Sequence, residues 1–146
     1  HVSDAVAILE SDFADKIIFP SDLSCVTEDG IANVELSEIS TNDTIYDLGS
    51  SSINEIKNIV RKSVSVFWNG PLGYVEKKPF NKGTEELAKA IADHNCFSIV
   101  GGGDTLPIIE NLKLQNGYNC LSTGGGSLLT YLEGGSLPIL DKLNLR

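Results

Sequence analysis

Ser63-Val64-Ser65-Val66-Phe67-Trp68-Asn69-Gly70-Pro71-Leu72-Gly73 decides the fold class of this chain. Its first six residues are β-branched, aromatic or small, as a buried strand requires. The next five form a glycine-proline loop that stops the strand. The pattern then repeats downstream. Residues 84–94 predict a helix with Leu87, Ala88 and Ile91 inward. Phe97-Ser98-Ile99-Val100 reads as a strand and Gly101-Gly102-Gly103-Asp104 as a turn. Residues 105–112 read as a short helix, with Pro107 in its first turn, where a missing N–H costs nothing. Residues 118–121 read as another strand, Thr123-Gly124-Gly125-Gly126 as a turn, and 127–132 as a helix. Strands alternating with helices imply an α/β fold built on a parallel sheet with helices on both faces.

Upstream the pattern is less regular. Val2, Val6, Ile8 and Leu9 suit the end of an amphipathic helix. Lys16-Ile17-Ile18-Phe19-Pro20 predicts a short buried strand stopped by proline. Asp29-Gly30, between β-prone residues 23–26 and 31–36, predicts a small β-hairpin, an antiparallel excursion at the sheet edge. Residues 42–52 are polar and turn-rich. Ser52 with Glu55 fits a capping box for a helix with Ile53, Ile56, Ile59 and Val60 on one face, ending near Lys62. The expected total is about four strands alternating with helices, plus the hairpin.

Composition narrows the function classes. The 146 residues suit one domain; 41% are apolar and 21% charged, an ordinary globular balance. The net charge of −9 makes nucleic acid an unsuitable partner. No apolar run approaches the roughly 18 residues of a membrane span, and no basic-then-apolar leader is visible. Cys25, Cys96 and Cys120 are far apart and odd in number, which reads as reduced thiols in a cytoplasmic protein. A chain without Met that opens on His1 reads as a truncated or processed product.

An open parallel sheet binds ligands beyond the carboxyl ends of its strands. Three loops fall there: residues 69–73, 101–104 and 123–126. Two carry Gly-Gly-Gly between a strand and a helix. Glycine leaves backbone amides free to approach an anion, and the following helix adds unpaired N–H groups and a positive dipole end. One triplet alone is as well read as a tight turn; two at the same end of a sheet point to phosphate. Neither loop is a Walker A sequence or a dinucleotide fingerprint. Asp104 beside a phosphate loop would repel the anion unless Mg²⁺ lies between them, and Mg²⁺ is commonly held by one or two carboxylates with phosphates. Asp104 also suits a helix N-cap, and both roles can hold at once. Glu76 reads either as an acceptor for ribose hydroxyls or as a solvated charge, and Trp68 as core or cleft lining. No Lys or Arg lies within the three loops; Lys77, Lys78 and Lys82 follow the first. Phosphoryl transfer needs cations besides Mg²⁺, so the chain either only binds nucleotide or relies on basic groups elsewhere.

These residues resemble one family closely. Residues 66–73, then Glu76, then Phe80-x-x-Gly83-Thr84, are similar to the phosphoglycerate kinase motif. Residues 99–105 and 121–126 match its next two landmarks in order and spacing, and Leu132-Glu133-Gly134 and Leu137-Pro138 continue it. Residues 16–20 and 47–49 fit more loosely. Ile45-Tyr46 stand where the family has Gly-Leu, Val75 where a Phe commonly precedes the Glu, and Ile139 where Gly often follows Leu-Pro. The resemblance implies two Rossmann-like domains flanking a cleft, and transfer of a phosphoryl group between 1,3-bisphosphoglycerate and ADP to give 3-phosphoglycerate and ATP. It implies that residues 1–146 are the incomplete C-terminal, nucleotide-binding domain, with the phosphoglycerate-binding N-terminal domain absent and the parent enzyme a monomer. It implies that Gly70, Leu72 and Val75 line the adenosine pocket and that Glu76 binds ribose. Gly102 and Gly103 belong to the first phosphate loop, Asp104 would meet Mg²⁺, and Thr105 a nucleotide phosphate. Gly124, Gly125 and Gly126 would face the transferring phosphate. The expected behaviour of the isolated chain is weak, Mg-dependent binding of ADP or ATP, marginal stability and little turnover. The competing classes are a non-catalytic nucleotide-binding or interaction module and a phosphosugar-binding α/β protein.

Overall fold

The computed structural model describes residues 1–143. Helix α1 spans Val2–Leu9. An antiparallel sheet follows, built from β1 (Asp22–Thr27), β2 (Gly30–Glu35) and β3 (Thr44–Leu48) in the order β2-β1-β3. Helix α2 (Ser50–Val60) leads to the parallel layer: β4 (Ser65–Asn69), α3 (Lys82–Asp93), β5 (Phe97–Gly101), α4 (Leu106–Asn111), β6 (Cys120–Ser122) and α5 (Gly125–Leu132). Helix α6 (Pro138–Lys142) closes the described chain.

The parallel strands stand in the order β4-β5-β6, with Trp68 opposite Val100 and Val100 opposite Leu121. Side chains alternate across this sheet. Val66, Trp68 and Val100 turn to one face, where Val60 of α2, Leu87, Ala88 and Ile91 of α3, and Leu106 and Ile109 of α4 pack on them. Ile91, Ile109 and Val100 are fully buried. The expected inward residues of α3 are therefore those observed. Across the opposite face, Phe67 and Phe97 remain exposed. Helix α5 meets that face at Gly101, where a Cβ would stand 3.6 Å from Leu128 Cδ2. Lys57 of α2 and Lys89 of α3 both pair with Glu86, at 2.5 and 3.0 Å, tying the two helices at the rim.

The upstream half departs from expectation in four ways. Residues 16–20 form no strand: Ala14–Lys16 is a 3-10 turn, and Ile18 and Phe19 are exposed. Apolar content alone does not make a strand, which needs a neighbour for its N–H and C=O groups. The hairpin forms at Asp29-Gly30 as read, but it is not an edge of the parallel sheet. It belongs to its own three-stranded sheet, completed by β3 from the stretch read as turns. The parallel sheet has three strands among the described residues, so the count of four falls by one. The Ser52–Glu55 capping box is absent as well. Helix α2 starts one turn earlier at Ser50, with Gly49 as N-cap. Ser52 instead bonds Asp22, and Glu55 accepts from Ser21 Oγ at 2.9 Å. A tertiary partner whose carboxylate and carbonyl accept from both the N–H and the hydroxyl of Ser52 outcompeted the local box.

Candidate functional site at the carboxyl ends of the parallel strands

Strands β4, β5 and β6 end at the same edge, so the loops after them are neighbours by construction. The structure brings three glycines there into backbone contact. Gly70, after β4, has φ +90° and donates its N–H to Gly101 O at 3.4 Å. Gly102, after β5, has φ +112°, in the left-handed region where a side chain is strained. Gly125, at the start of α5, lies so close that an added Cβ would stand 2.7 Å from both Gly102 N and Asn69 Oδ1. Only glycine permits this approach. A Cβ on Gly102 would stand 3.1 Å from both Gly70 N and Thr105 Oγ1.

Further contacts hold the loops. Trp68 is buried, and its indole N–H donates to Gly70 O at 2.7 Å. Trp68 is thus core and loop anchor together. Leu72 is half-buried, and its N–H donates to Thr84 Oγ1 of α3 at 3.0 Å. Thr105 and Leu106 donate their N–H groups to Gly102 O, at 3.2 and 3.3 Å. Gly124 is the N-cap of α5, its N–H bonded to Ser122 Oγ at 3.3 Å. Gly103, Asp104, Gly124 and Gly126 are exposed, and Gly125 is buried.

Two side chains in the first triplet loop differ sharply. Asp104 is exposed and does not cap α4; the N-cap is Thr105, with no side-chain cap bond. The cap role expected for Asp104 is absent. Thr105 is fully buried, and its Oγ1 has no hydrogen-bond partner among the described residues. A buried hydroxyl left unpaired costs about 1–3 kcal/mol. Val75, half-buried, and Glu76, exposed, continue the first loop along β3, where Tyr74 N–H donates to Tyr46 O at 2.7 Å. The site residues read from sequence therefore fall into two groups: Gly70, Gly102, Gly125 and Thr105 converge, while Val75 and Glu76 extend toward β3. No cluster of three or more His, Cys, Asp or Glu exists among the described residues.

Sequence reading missed Asp47 and Asn69. Asp47 is buried on β3 and accepts the N–H of Gly83 at 2.9 Å. Burial pushes its carboxyl up from the ordinary range, only partly offset by the N–H groups of Gly83, Leu48 and Lys82. Gly73, in the first loop, has no room for a Cβ between this carboxylate and Phe80 O. Asp47 thereby positions the loop. Its bond to Gly83 crosses 36 residues, so no local pattern reports it. Asn69, the residue ending β4, did stand in the quoted motif.

Fold and site together define a parallel α/β domain whose glycine loops meet at the carboxyl ends of its strands. The family model described as phosphoglycerate kinase matches residues 1–135, and the chain belongs to that family. A phosphoglycerate kinase of Buchnera aphidicola subsp. Baizongia pistaciae (strain Bp) is 47% identical over 132 residues, covering 88% of this chain and 34% of that protein. One from Baumannia cicadellinicola subsp. Homalodisca coagulata is 40% identical over 130 residues, with the same coverage. The chain spans about a third of the length of these curated relatives. The solved phosphoglycerate kinase of Coxiella burnetii superposes with a TM-score of 0.84 at 31% identity, over 98% of this chain and 39% of that one. That of Pyrococcus horikoshii OT3 superposes with a TM-score of 0.85 at 31% identity, over 98% and 36%.

Proposed function

We propose that this chain is the later part of a phosphoglycerate kinase's C-terminal domain and supplies the magnesium-nucleotide side of its active site. The parent reaction is phosphoryl transfer between 1,3-bisphosphoglycerate and ADP, giving 3-phosphoglycerate and ATP. The observation that carries the reading is the convergence of Gly70, Gly102 and Gly125, with the unpaired Thr105 hydroxyl beside Gly102. Such a cradle suits an oxygen-rich anion: backbone amides surround it and the buried hydroxyl gains the partner it lacks. Thr105 then holds a nucleotide phosphate. Gly124, Gly125 and Gly126 present the N-terminus of α5 to the phosphoryl group in transfer.

The residues fit magnesium as well. An exposed carboxylate, Asp104, stands beside the cradle, and Mg²⁺ takes few protein ligands when phosphates complete its shell. Once bound there with nucleotide, it supplies charge neutralisation on phosphate oxygens. The chain's own residues orient the phosphates through backbone amides, with no covalent intermediate. The loops hold no Lys or Arg, so the cations for transfer and the phosphoglycerate site belong to the remainder of the longer family protein, and this chain alone turns over little. The reading extends to a cytoplasmic, monomeric parent. No helix among the described residues is long and apolar enough to cross a membrane.

Calorimetry tests the assignment. ADP binding is expected to weaken at least tenfold in Asp104→Ala or on Mg²⁺ removal, and several-fold in Thr105→Val. Affinity unchanged in both variants rejects the site. The second reading, a non-catalytic nucleotide-binding module, is favoured by the absence of Lys and Arg from the loops. Joining the chain to the preceding two thirds of a curated relative separates the two: turnover supports the kinase, and binding without turnover supports the module.

A further inference from the structure

None of residues 1–20 is buried. Helix α1 contributes nothing to the core, and Val2, Ile8, Phe13, Ile18 and Phe19 are each more than half exposed. The strand-like residues among them pair with no strand. The fold takes hold at Ser21, whose carbonyl accepts the N–H of Leu36 at 2.9 Å and whose Oγ donates to Glu55 Oε1. The first twenty residues are therefore an arm that joins the fold at Ser21.

Strand β4 has the matching deficiency. It pairs with β5 on one side and, among the described residues, with no strand on the other. An open edge presents N–H and C=O groups that lack partners, and folded proteins guard such edges with charge or proline. Residues 63–70 carry neither. Val64 is 88% exposed and Phe67 44%. Between this edge and α2 lies an open apolar groove of about 320 Å³, whose lining includes Ile59, Val66, Trp68 and Leu72. The arm of the same chain stands across the groove, where Ile18 and Phe19 lie near Leu48 and Leu72. Only Pro20 separates Phe19 from the anchored Ser21, which leaves the arm little reach toward its own β4.

Charge selects the direction in which an arm fits the edge. Glu10, Asp12 and Asp15 precede the strand-like residues, and all three are exposed. Arg61 and Lys62, also exposed, precede β4. The carboxyl end of β4 lies beside the loop after β5, which carries Asp104. Parallel pairing brings the three acids to Arg61 and Lys62, whereas antiparallel pairing carries them toward Asp104. Opposite charges meet only in the parallel arrangement. Alternation then sets Ile17 and Phe19 on one face of the edge and Ile18 on the other, so both faces gain apolar cover.

We propose that two copies of this chain exchange arms, Ile17-Ile18-Phe19 of each adding to β4 of the other as a parallel edge strand. Main-chain hydrogen bonds supply the affinity of an added strand, and alternate side chains set its register. A reciprocal exchange closes on itself as a dimer. The inference is stated for the 146-residue chain, independent of the kinase reading and of the monomeric parent proposed with it.

Sedimentation equilibrium of the 146-residue chain, joined with hydrogen exchange at β4, tests the exchange. The expected species has twice the 15.7 kDa mass of one chain and weakens as salt is raised. Ile18→Pro, at a position exposed in the single chain, removes a ladder donor and is expected to weaken association by about tenfold or more. Phe67→Lys guards the edge and acts in the same direction. Arg61→Glu with Lys62→Glu weakens the dimer several-fold, and adding Asp12→Lys with Asp15→Lys restores it. A chain that is monomeric at every concentration overturns the proposal. So does a dimer that Ile18→Pro leaves intact, or an assembly that grows beyond two copies. A monomer whose β4 amides exchange faster in Ile18→Pro than in the wild type means that the arm covers its own edge, and this too overturns the exchange. Charge reversals that fail to restore one another overturn the parallel direction.

Discussion

The amino ends of α2 and α3 use the same device with opposite electrostatic results. At α2, Asp22 of β1 accepts the N–H groups of Ser51 and Ser52, at 3.1 and 2.7 Å. At α3, Asp47 of β3 accepts the N–H of Gly83 at 2.9 Å. Both carboxylates are 3% exposed, and both fill the space a glycine Cβ would take, Asp22 at Gly49 and Asp47 at Gly73 and Gly83. Burial is the largest influence on each, and it raises the pKa. At Asp22 the backbone and side-chain hydrogen bonds of Ser52 and Ser51 together overcome it, and the net shift is downward. At Asp47 burial outweighs the N–H groups of Gly83, Leu48 and Lys82, and the net shift is upward. The balance between desolvation and hydrogen bonding at a helix end decides whether a buried acid is a comfortable anion. The uncomfortable one stands beside the candidate site, where it holds the first glycine loop.

Four measurements can break or sharpen this contrast. The largest effect is expected from Gly73→Ala. Its Cβ would stand 2.5 Å from the backbone oxygen of Phe80, which cannot swing aside. Denaturant unfolding should show a loss of about 3 kcal/mol. Gly49→Ala meets only the Asp22 carboxylate and should lose less. Equal losses would mean that the two helix ends are equally rigid.

Next, Asp22→Ala removes a net-stabilised anion and leaves two amide donors without it. A loss of about 2 kcal/mol is expected from the same unfolding curves. Asp47→Asn should cost less, about 1 kcal/mol or under, because ending an unfavourable buried charge offsets the weaker bond to Gly83. A larger loss in Asp47→Asn than in Asp22→Ala would reverse the electrostatic assignment.

The smallest effect is the pH dependence, and its signs are opposite. Asp22, with a folded pKa below the ordinary 3.8, contributes stability that is present above that value and lost as pH falls through the folded one. Asp47, with a folded pKa above 3.8, holds its proton longer when folded, so its contribution is greatest in acid and falls as pH rises through the raised value. Unfolding midpoints taken from about pH 3 to pH 7 should therefore show the Asp22→Ala deficit widening with pH and the Asp47→Asn deficit narrowing. Parallel curves would refute the contrast.

Much of the parallel layer was legible residue by residue. Val66, Trp68 and Val100 alternate as strand residues, Leu87, Ala88 and Ile91 recur at helical spacing, and Gly-Gly-Gly ends two strands. Each of these signals is complete within a dozen residues. The helix over Val2–Leu9 and the Asp29-Gly30 hairpin were legible for the same reason. The failures share a different cause. Residues 16–20 carry strand-like side chains but have no partner strand. Residues 44–48 look like turns yet become β3 because β1 offers a ladder. Ser52 forsakes Glu55 for Asp22, 30 residues away.

The candidate site divides the same way. By itself the sequence determined which loops follow the carboxyl ends of the parallel strands, that two of them are glycine triplets, that Asp104 directly follows one, and which family carries such motifs. These follow from turn chemistry and strand direction, which are local. Tertiary structure alone decided that Gly125 touches Gly102, that the Thr105 hydroxyl is buried without a partner, and that Asp47 braces the first loop. Each depends on groups distant in sequence meeting at van der Waals distance, and short-range propensity contains no term for that.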